Sequence, residues 1–271
     1  MSKLPIERRA EYVRFFQREF RLRLLRVIFI AVLVWSALQS THQAAAQGPG
    51  VQALRSRLKD KSAEIRIEAA RGLGRVGGRQ AVIILRDGLV DKDVDVRIAV
   101  IDALGFIGGQ PALNVLSGAL KDKSSQVRIR ALEALKEAGT ISAIPIIAKA
   151  FEDKEKTVRL RAALILRKIG HRSGVPVLGR AALNDNDPAV RAAATHHLGK
   201  VGVKDPRAVG LLSQILEDSE PAVRIRAVES LGFLQLTAAE RILRTALEDR
   251  SVGVRIRATE VMGRVLAKEF E

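Results

Sequence analysis

The chain has 271 residues, 47% of them hydrophobic and 4% aromatic, with no cysteine and a formal charge of +16 at pH 7. The lack of cysteine excludes disulfides, thiolate metal sites and cysteine nucleophiles, while the basic balance favours an acidic partner or surface. Six of the ten aromatic residues lie before position 36, so the rest of the chain must build its core from Leu, Ile, Val and Ala.

In chain order, the first feature is an uncharged, mostly apolar run of 12 residues from Val27 to Leu38, preceded by arginines at 8, 9, 14, 18, 21, 23 and 26. A membrane-spanning helix needs about 20 apolar residues, so the run reads as the apolar centre of a secretory signal peptide. Ala44 to Ala46 supply small residues for cleavage, and Gln47 opens the mature chain. The predicted organisation is therefore an N-terminal signal peptide or signal anchor over 1–46 and a repeat region over 47–271. The expected location is exported, periplasmic or secreted. An uncleaved segment would instead anchor the chain in the inner membrane with the repeats outside the cytoplasm, and this is the sole membrane contact expected.

From residue 60 onward one phrase recurs, an aspartate followed six positions later by an arginine with an aliphatic residue just before it. The pairs are Asp60/Arg66, Asp91/Arg97, Asp122/Arg128, Asp153/Arg159, Asp185/Arg191, Asp218/Arg224 and Asp249/Arg255, and the arginines are 31, 31, 31, 32, 33 and 31 residues apart. A fixed period in this range marks a stacked array of short units. Each arginine opens a helical pattern. At about 100° per residue, Val127, Ala131, Leu135 and Ala138 fall on one arc, and Ile65/Ala69/Leu73/Val76, Val96/Val100/Leu104/Ile107 and Val223/Ala227/Leu231/Leu234 repeat it. Gly77, Gly108, Gly139, Gly170 and Gly202 sit at one offset behind these stripes and are expected to end the helices in a left-handed conformation. Between these helices lie shorter apolar stretches, among them Ala112 to Leu120, Ala143 to Phe151, Pro176 to Leu183 and Ala208 to Leu216. They read as the second helix of each unit, with prolines at or near their starts.

The motif arginine falls inside the apolar arc, so its guanidinium is expected to be half buried or more and to need acceptors. The aspartate precedes the helix, where it is placed to cap the N-terminus and to meet an arginine of its own unit or of the adjacent one. A ladder of paired charges along the stack is the expected result, a structural role rather than a row of acid and base groups.

The phrase Asp91-Lys-Asp-Val-Asp-Val-Arg97, continued by Ala103-Leu-Gly105 and Gly108, resembles the HEAT repeat, in the short HEAT-like form of the phycobilisome lyases. The resemblance covers residues 51–271. It implies an all-α fold, an α-solenoid forming a right-handed superhelix of about seven helical hairpins, each an A helix followed by a B helix that carries the motif arginine. The first A helix is expected over Val51 to Leu58 and the last B helix to end near Phe270. It also implies that the B helices line a concave inner face.

On that face stand positions 2, 5 and 9 beyond each arginine, which are mixed in charge. The candidate partner-binding residues are Phe106, Arg130, Arg161, Leu164, Lys168, His196, Lys200, Arg226, Phe233 and Arg257, with the fourth and fifth units locally basic and Phe106 and Phe233 expected to be exposed. Acids in five of the seven units speak against a phosphate-tracking groove. The expected partner is a protein, with an anionic envelope component as an alternative and nucleic acid disfavoured, and the chain is expected to be a monomer. No catalytic, cofactor or metal residue is assigned. His196 and His197 are adjacent on one helix and point about 100° apart, and the chain lacks the His-Glu dipeptides with which HEAT-like hydroxylases hold iron. The expected function is a non-catalytic repeat scaffold of the bacterial cell envelope, with a lyase-like or hydroxylase-like HEAT enzyme and a nucleic-acid-binding HEAT-like protein as alternatives.

Overall fold

The computed structural model describes residues 49–267 apart from 140, 204, 235 and 236. The signal peptide or signal anchor expected over 1–46 and the expected helix end near Phe270 therefore lie outside the described residues. The chain divides into two units, Met1–Ala53 and Leu54–Glu271. Helix α1, Pro49–Arg57, crosses the division, and the helices after it all belong to the second unit.

Among the described residues all regular structure is helical. The A helices are α1, α3 (Gly78–Gly88), α5 (Gly109–Ala119), α7 (Ile144–Ala148), α9 (Val175–Asn184), α11 (Pro206–Ile215) and α13 (Thr237–Ala246). The B helices are α2 (Ala63–Val76), α4 (Val94–Ile107), α6 (Ser125–Ala138), α8 (Lys156–Ile169), α10 (Pro188–Val201), α12 (Pro221–Leu234) and α14 (Val252–Ala267). Seven hairpins result, in an α-solenoid. From α2 to α14 successive B helices pack on one another, and each A helix from α3 onward packs on the B helix that follows it. For that reason the buried surface is wider than one stripe: Ala70, Ile101, Leu132, Ala163 and Val228, each four residues beyond a motif arginine, are buried as well. The predicted stripes are buried at most positions, but Val76, at the C-terminal end of α2, is 41% exposed.

Three local expectations are corrected. The aspartate does not cap its B helix. Its Oδ1 instead accepts from the backbone N–H two residues on, at 2.7–2.9 Å in all seven copies, forming a side-chain turn. The N-cap falls on that second residue, at Ser62, Asp93, Ser124, Glu155 and Asp187.

The five helix-ending glycines also differ among themselves. Only Gly170 is left-handed in both angles (φ 68°, ψ 14°), and Gly77 and Gly108 combine positive φ with extended ψ. Gly139 and Gly202 have negative φ. At these two, glycine answers to space, since a Cβ would lie 2.8 Å from Leu113 Cδ1 and 2.4 Å from the Ala208 Cβ respectively.

The helix expected over Ala143 to Phe151 is broken, with 3-10 turns at Ile141–Ala143 and Lys149–Glu152 enclosing only the five residues of α7. Ile141, Ile144, Ile146 and Ile147 are β-branched and Pro145 donates no backbone hydrogen bond, so α-helical propensity is low there.

The arginine ladder connects neighbouring units. The Nε of Arg66, Arg97, Arg128, Arg159, Arg191 and Arg224 donates at 2.5–2.8 Å to Oδ2 of Asp91, Asp122, Asp153, Asp185, Asp218 and Asp249 in the next unit. Nη2 donates to the other oxygen of the same carboxylate at 2.8–3.0 Å. Nη1 turns back to the carbonyl of its own unit's aspartate at 2.7–3.0 Å. Between the two readings the sequence left open, the adjacent unit supplies the carboxylate and the arginine's own unit supplies the carbonyl.

Each fork is thereby fully used in a poorly hydrated place, which is the condition for a buried ion pair to be tolerated. Burial on its own raises the carboxyl pKa of Asp91, Asp122, Asp153 and Asp218, but the arginine fork and the backbone N–H outweigh it and hold these groups below the usual carboxylate range. At Asp249 the Arg224 fork is the largest influence, with the same net direction.

Candidate partner-binding face

The residues 2, 5 and 9 positions beyond each arginine project from the B helices away from the A layer. Their charges are organised by a second ladder. The acid at position 5 of one unit meets the arginine at position 2 of the next: Asp102 with Arg130, Glu133 with Arg161 at 2.8 Å, and Glu229 with Arg257 at 3.3 Å. Glu133 also receives Lys168 at 3.8 Å, Glu229 receives Arg226 at 2.8 Å, and Arg257 reaches Glu260 at 2.8 Å. Arg130, Arg161, Lys168, Arg226 and Arg257 are thus already paired within the chain, and the fourth unit is less basic than its composition suggests.

The outer ladder is interrupted where its two positions do not hold opposite charges. The first break is between units one and two, where Arg71 stands opposite Ala99. A groove of about 930 Å³ opens there between α2 and α4. Ile67, Ile98 and Ala103 form part of its wall, and Gly74 lets the helices approach, its missing Cβ lying 3.0 Å from that of Ala103. Phe106 stands in this groove 77% exposed. Arg75 on the α2 side, and Asp95 on α4 with Glu137 on α6 on the other, line it without an ion pair among the described residues, whereas Arg71 is tied to Glu68 at 2.6 Å.

The second interruption covers Leu164 opposite Ala193 and His196 opposite Arg226. Here His196, Lys200 and Phe233 come together. The rings of His196 and Phe233 are near-perpendicular with centroids 6.2 Å apart, and Lys200 Nζ lies 3.5 Å from the Phe233 ring centre, a cation–π contact. Phe233, expected to be exposed, is half-buried beneath this cover, and Leu164 on α8 is also half-buried.

His197 carries no site signal in the sequence, since its burial depends on how α10 packs. The ring centroids of His196 and His197 are 5.4 Å apart, and Nδ1 of each is buried without a hydrogen-bond partner. Among the described residues no group of three or more His, Asp or Glu side chains is arranged to hold a metal ion.

Burial first, then His196 and Arg167, push the His197 imidazole down to about 4. Burial and then Arg226 and Lys200 lower His196, against the opposing pull of Glu229. In an unfolded chain both would take up a proton near pH 6.5. Between about pH 6.5 and 4 the unfolded state binds more protons, so stability falls as the pH drops through that window. Asp91, Asp122, Asp153, Asp218 and Asp249 act lower: their folded pKa lies below the unfolded value, so their contribution is complete above about pH 4 and lost on further acidification. His197→Asn should flatten the first loss and leave the second. Urea unfolding of both proteins between about pH 7 and 3 checks this, and an unchanged slope above pH 4 would contradict it.

A family profile for HEAT repeats matches residues 51–136, 143–217 and 209–269, and one for the PBS lyase HEAT-like repeat matches 127–153. The chain belongs to the HEAT-repeat family. No curated protein matches it. Among solved HEAT-type structures, Kap121p is 16% identical, with a TM-score of 0.58 over 79% of this chain and 29% of that one. The complex of CpcE and CpcF of phycocyanin lyase from Nostoc sp. PCC7120 is 20% identical, with a TM-score of 0.43 over 80% of this chain and 96% of that one. Human deoxyhypusine hydroxylase in complex with glycerol is 22% identical, with a TM-score of 0.37 over 85% of this chain and 91% of that one. At such identities the likeness to Kap121p speaks to the HEAT fold alone. The HEAT repeat is a fold, and activity has to be argued from a site rather than from the fold.

Proposed function

We propose that this chain is a non-catalytic HEAT-repeat scaffold that holds a protein partner on its B-helix face, and that it works in the bacterial cell envelope after export on residues 1–46. The observation that carries the binding role is the groove between α2 and α4. An aromatic ring 77% exposed stands beside an arginine on one side and carboxylates on the other that have no ion-pair partner among the described residues. An exposed aromatic anchor with unlike charges around it suits a protein segment bearing both charge types. A polyanion would meet Asp95 and Glu137 as repulsion. Export is supported by the apolar run from Val27 to Leu38 behind seven arginines and by the small residues before Gln47.

The test is chemical crosslinking of the tagged full-length chain in its native cells, followed by recovery from envelope and cytosolic fractions. One protein should crosslink through the α2–α4 groove. Its yield should fall at least about tenfold in Phe106→Ala and Arg75→Glu while remaining unchanged in Arg241→Ala, on the exposed side of α13. The recovered solenoid should begin near Gln47. A partner held equally by all three variants overturns the site, and an intact N-terminus in the cytosolic fraction overturns export.

A further inference from the structure

Among the described residues the inner arginine ladder is open at both ends. In α14, Arg255 is held like the other six, with Nη1 donating to the carbonyls of Asp249 at 2.8 Å and Arg250 at 3.4 Å. Its Nε and Nη2 have no acceptor among the described residues, and these are the two donors with which each of the others grips the next unit's carboxylate. At the opposite end Asp60 accepts from the Ser62 N–H at 2.9 Å, as every ladder aspartate does from its own turn. No arginine reaches its carboxylate among the described residues. We propose that these are the two halves of one rung, and that the chain associates head to tail with a second copy, Arg255 of one copy gripping Asp60 of the next.

Three observations support this occupant. Each half is preorganised: carbonyls of its own turn aim the Arg255 fork, and the Ser62 N–H orients Asp60, so joining them orders little that is not already ordered. The outward face of α14 also carries apolar area, with Val252 59% and Ile256 53% exposed. Finally, the polar residue on that face is one the stack already buries. Thr259 Oγ1 donates to the Arg255 carbonyl at 3.0 Å, and Thr195, at the same position of α10, makes the same bond to Arg191 at 2.7 Å while 0% exposed. A threonine satisfied by its own helix can therefore enter a unit-to-unit interface without leaving a hydroxyl stranded.

The contact joins two different surfaces of the same chain, so it repeats: unless the rotation closes a ring, copies add in an open row. The monomer expected from the sequence is the opposite outcome in the test of this proposal. The head-to-tail contact is independent of the partner-binding proposal, since neither Arg255 nor Asp60 lies in the α2–α4 groove.

Sedimentation velocity of the full-length chain over a hundredfold concentration range tests it. The weight-average mass should rise continuously with concentration. Arg255→Gln and Asp60→Ser, the latter keeping a side-chain oxygen for the Ser62 N–H, should each remain monomeric. Mixed, they should give a 1:1 dimer that grows no further, because one variant supplies the only competent arginine and the other the only competent aspartate. Circular dichroism melts matching the parent chain confirm that both variants are folded, and Asp60→Asn serves as a milder replacement if Asp60→Ser melts early. A parent chain monomeric throughout, growth that persists in Arg255→Gln, or a mixture that stays monomeric would each overturn the proposal.

Discussion

Replacing Arg128 with alanine should lower the stability of the array by about 3 kcal/mol, among the largest effects of any single substitution in it. The side chains of Arg128 and its partner Asp153 are 5% and 9% exposed. The guanidinium makes four hydrogen bonds, two to that carboxylate and two to the carbonyls of Asp122 and Lys123. Removing it leaves a poorly hydrated carboxylate with the Glu155 N–H as its remaining donor and frees two carbonyls at the start of α6. Arg130, two residues along the same helix, is 40% exposed and its partner Asp102 is 42% exposed. Arg130→Ala should therefore cost less than about 1 kcal/mol. Denaturant titration of both variants by circular dichroism measures the difference, and equal small losses would mean that the inner rungs contribute no more than the outer ones.

Gly199→Ala should cost about 2 kcal/mol although it adds a single methyl group to a helix. Gly199 lies where α10 passes α12. A Cβ there would sit 2.5 Å from Ser230 Cβ, 2.6 Å from its Oγ and 2.8 Å from its Cα. A backbone atom cannot rotate away as a side-chain tip can, so the two helices must separate. Separation would also strain the hydrogen bond from Ser230 Oγ to the Thr195 carbonyl, 3.0 Å long and fully buried. Gly210→Ala in α11 is the matched control, because a Cβ there meets nothing within 4 Å. There the ordinary gain of alanine over glycine in a helix, up to about 1 kcal/mol, should appear. If both alanines shift the urea midpoint in the same direction, close approach at Gly199 is not what restricts that site.

The hairpin count, the A and B alternation and the burial of the motif arginines could be read in the sequence because one unit's chemistry is repeated in register seven times. Pairing could not. The same turn brings an aspartate 6 residues before an arginine and another about 25 after it to the same edge, and spacing along one helix does not say which carboxylate faces the fork. The outer ladder was hidden for a similar reason. Positions 2 and 5 of a single unit look like mixed surface charge, and become an ordered set only when Asp102 is set beside Arg130 and Glu133 beside Arg161 across the stack. The glycines show a further limit. Gly139 and Gly170 share a column in the repeat, yet one has the Leu113 side chain packed against it and the other a left-handed backbone, and the residue type is the same for both. At the face, Phe106 and Phe233 are equivalent by position, and what separates their exposure is a lysine and a histidine on the preceding helix.

The crossed bonding of each rung, carbonyl from its own turn and carboxylate from the next, makes the units interchangeable at their joints. Removal of residues 123–153 would join Asp122 directly to Lys154. Asp122 would still receive Arg97, its carbonyl would now receive Arg159, and Arg159 would still reach Asp185, so the shortened chain would contain no broken rung. Duplication of the same stretch closes equally well. Such an array can gain or lose a unit in one genetic event without first passing through an unpaired intermediate, so its length is free to change by whole units.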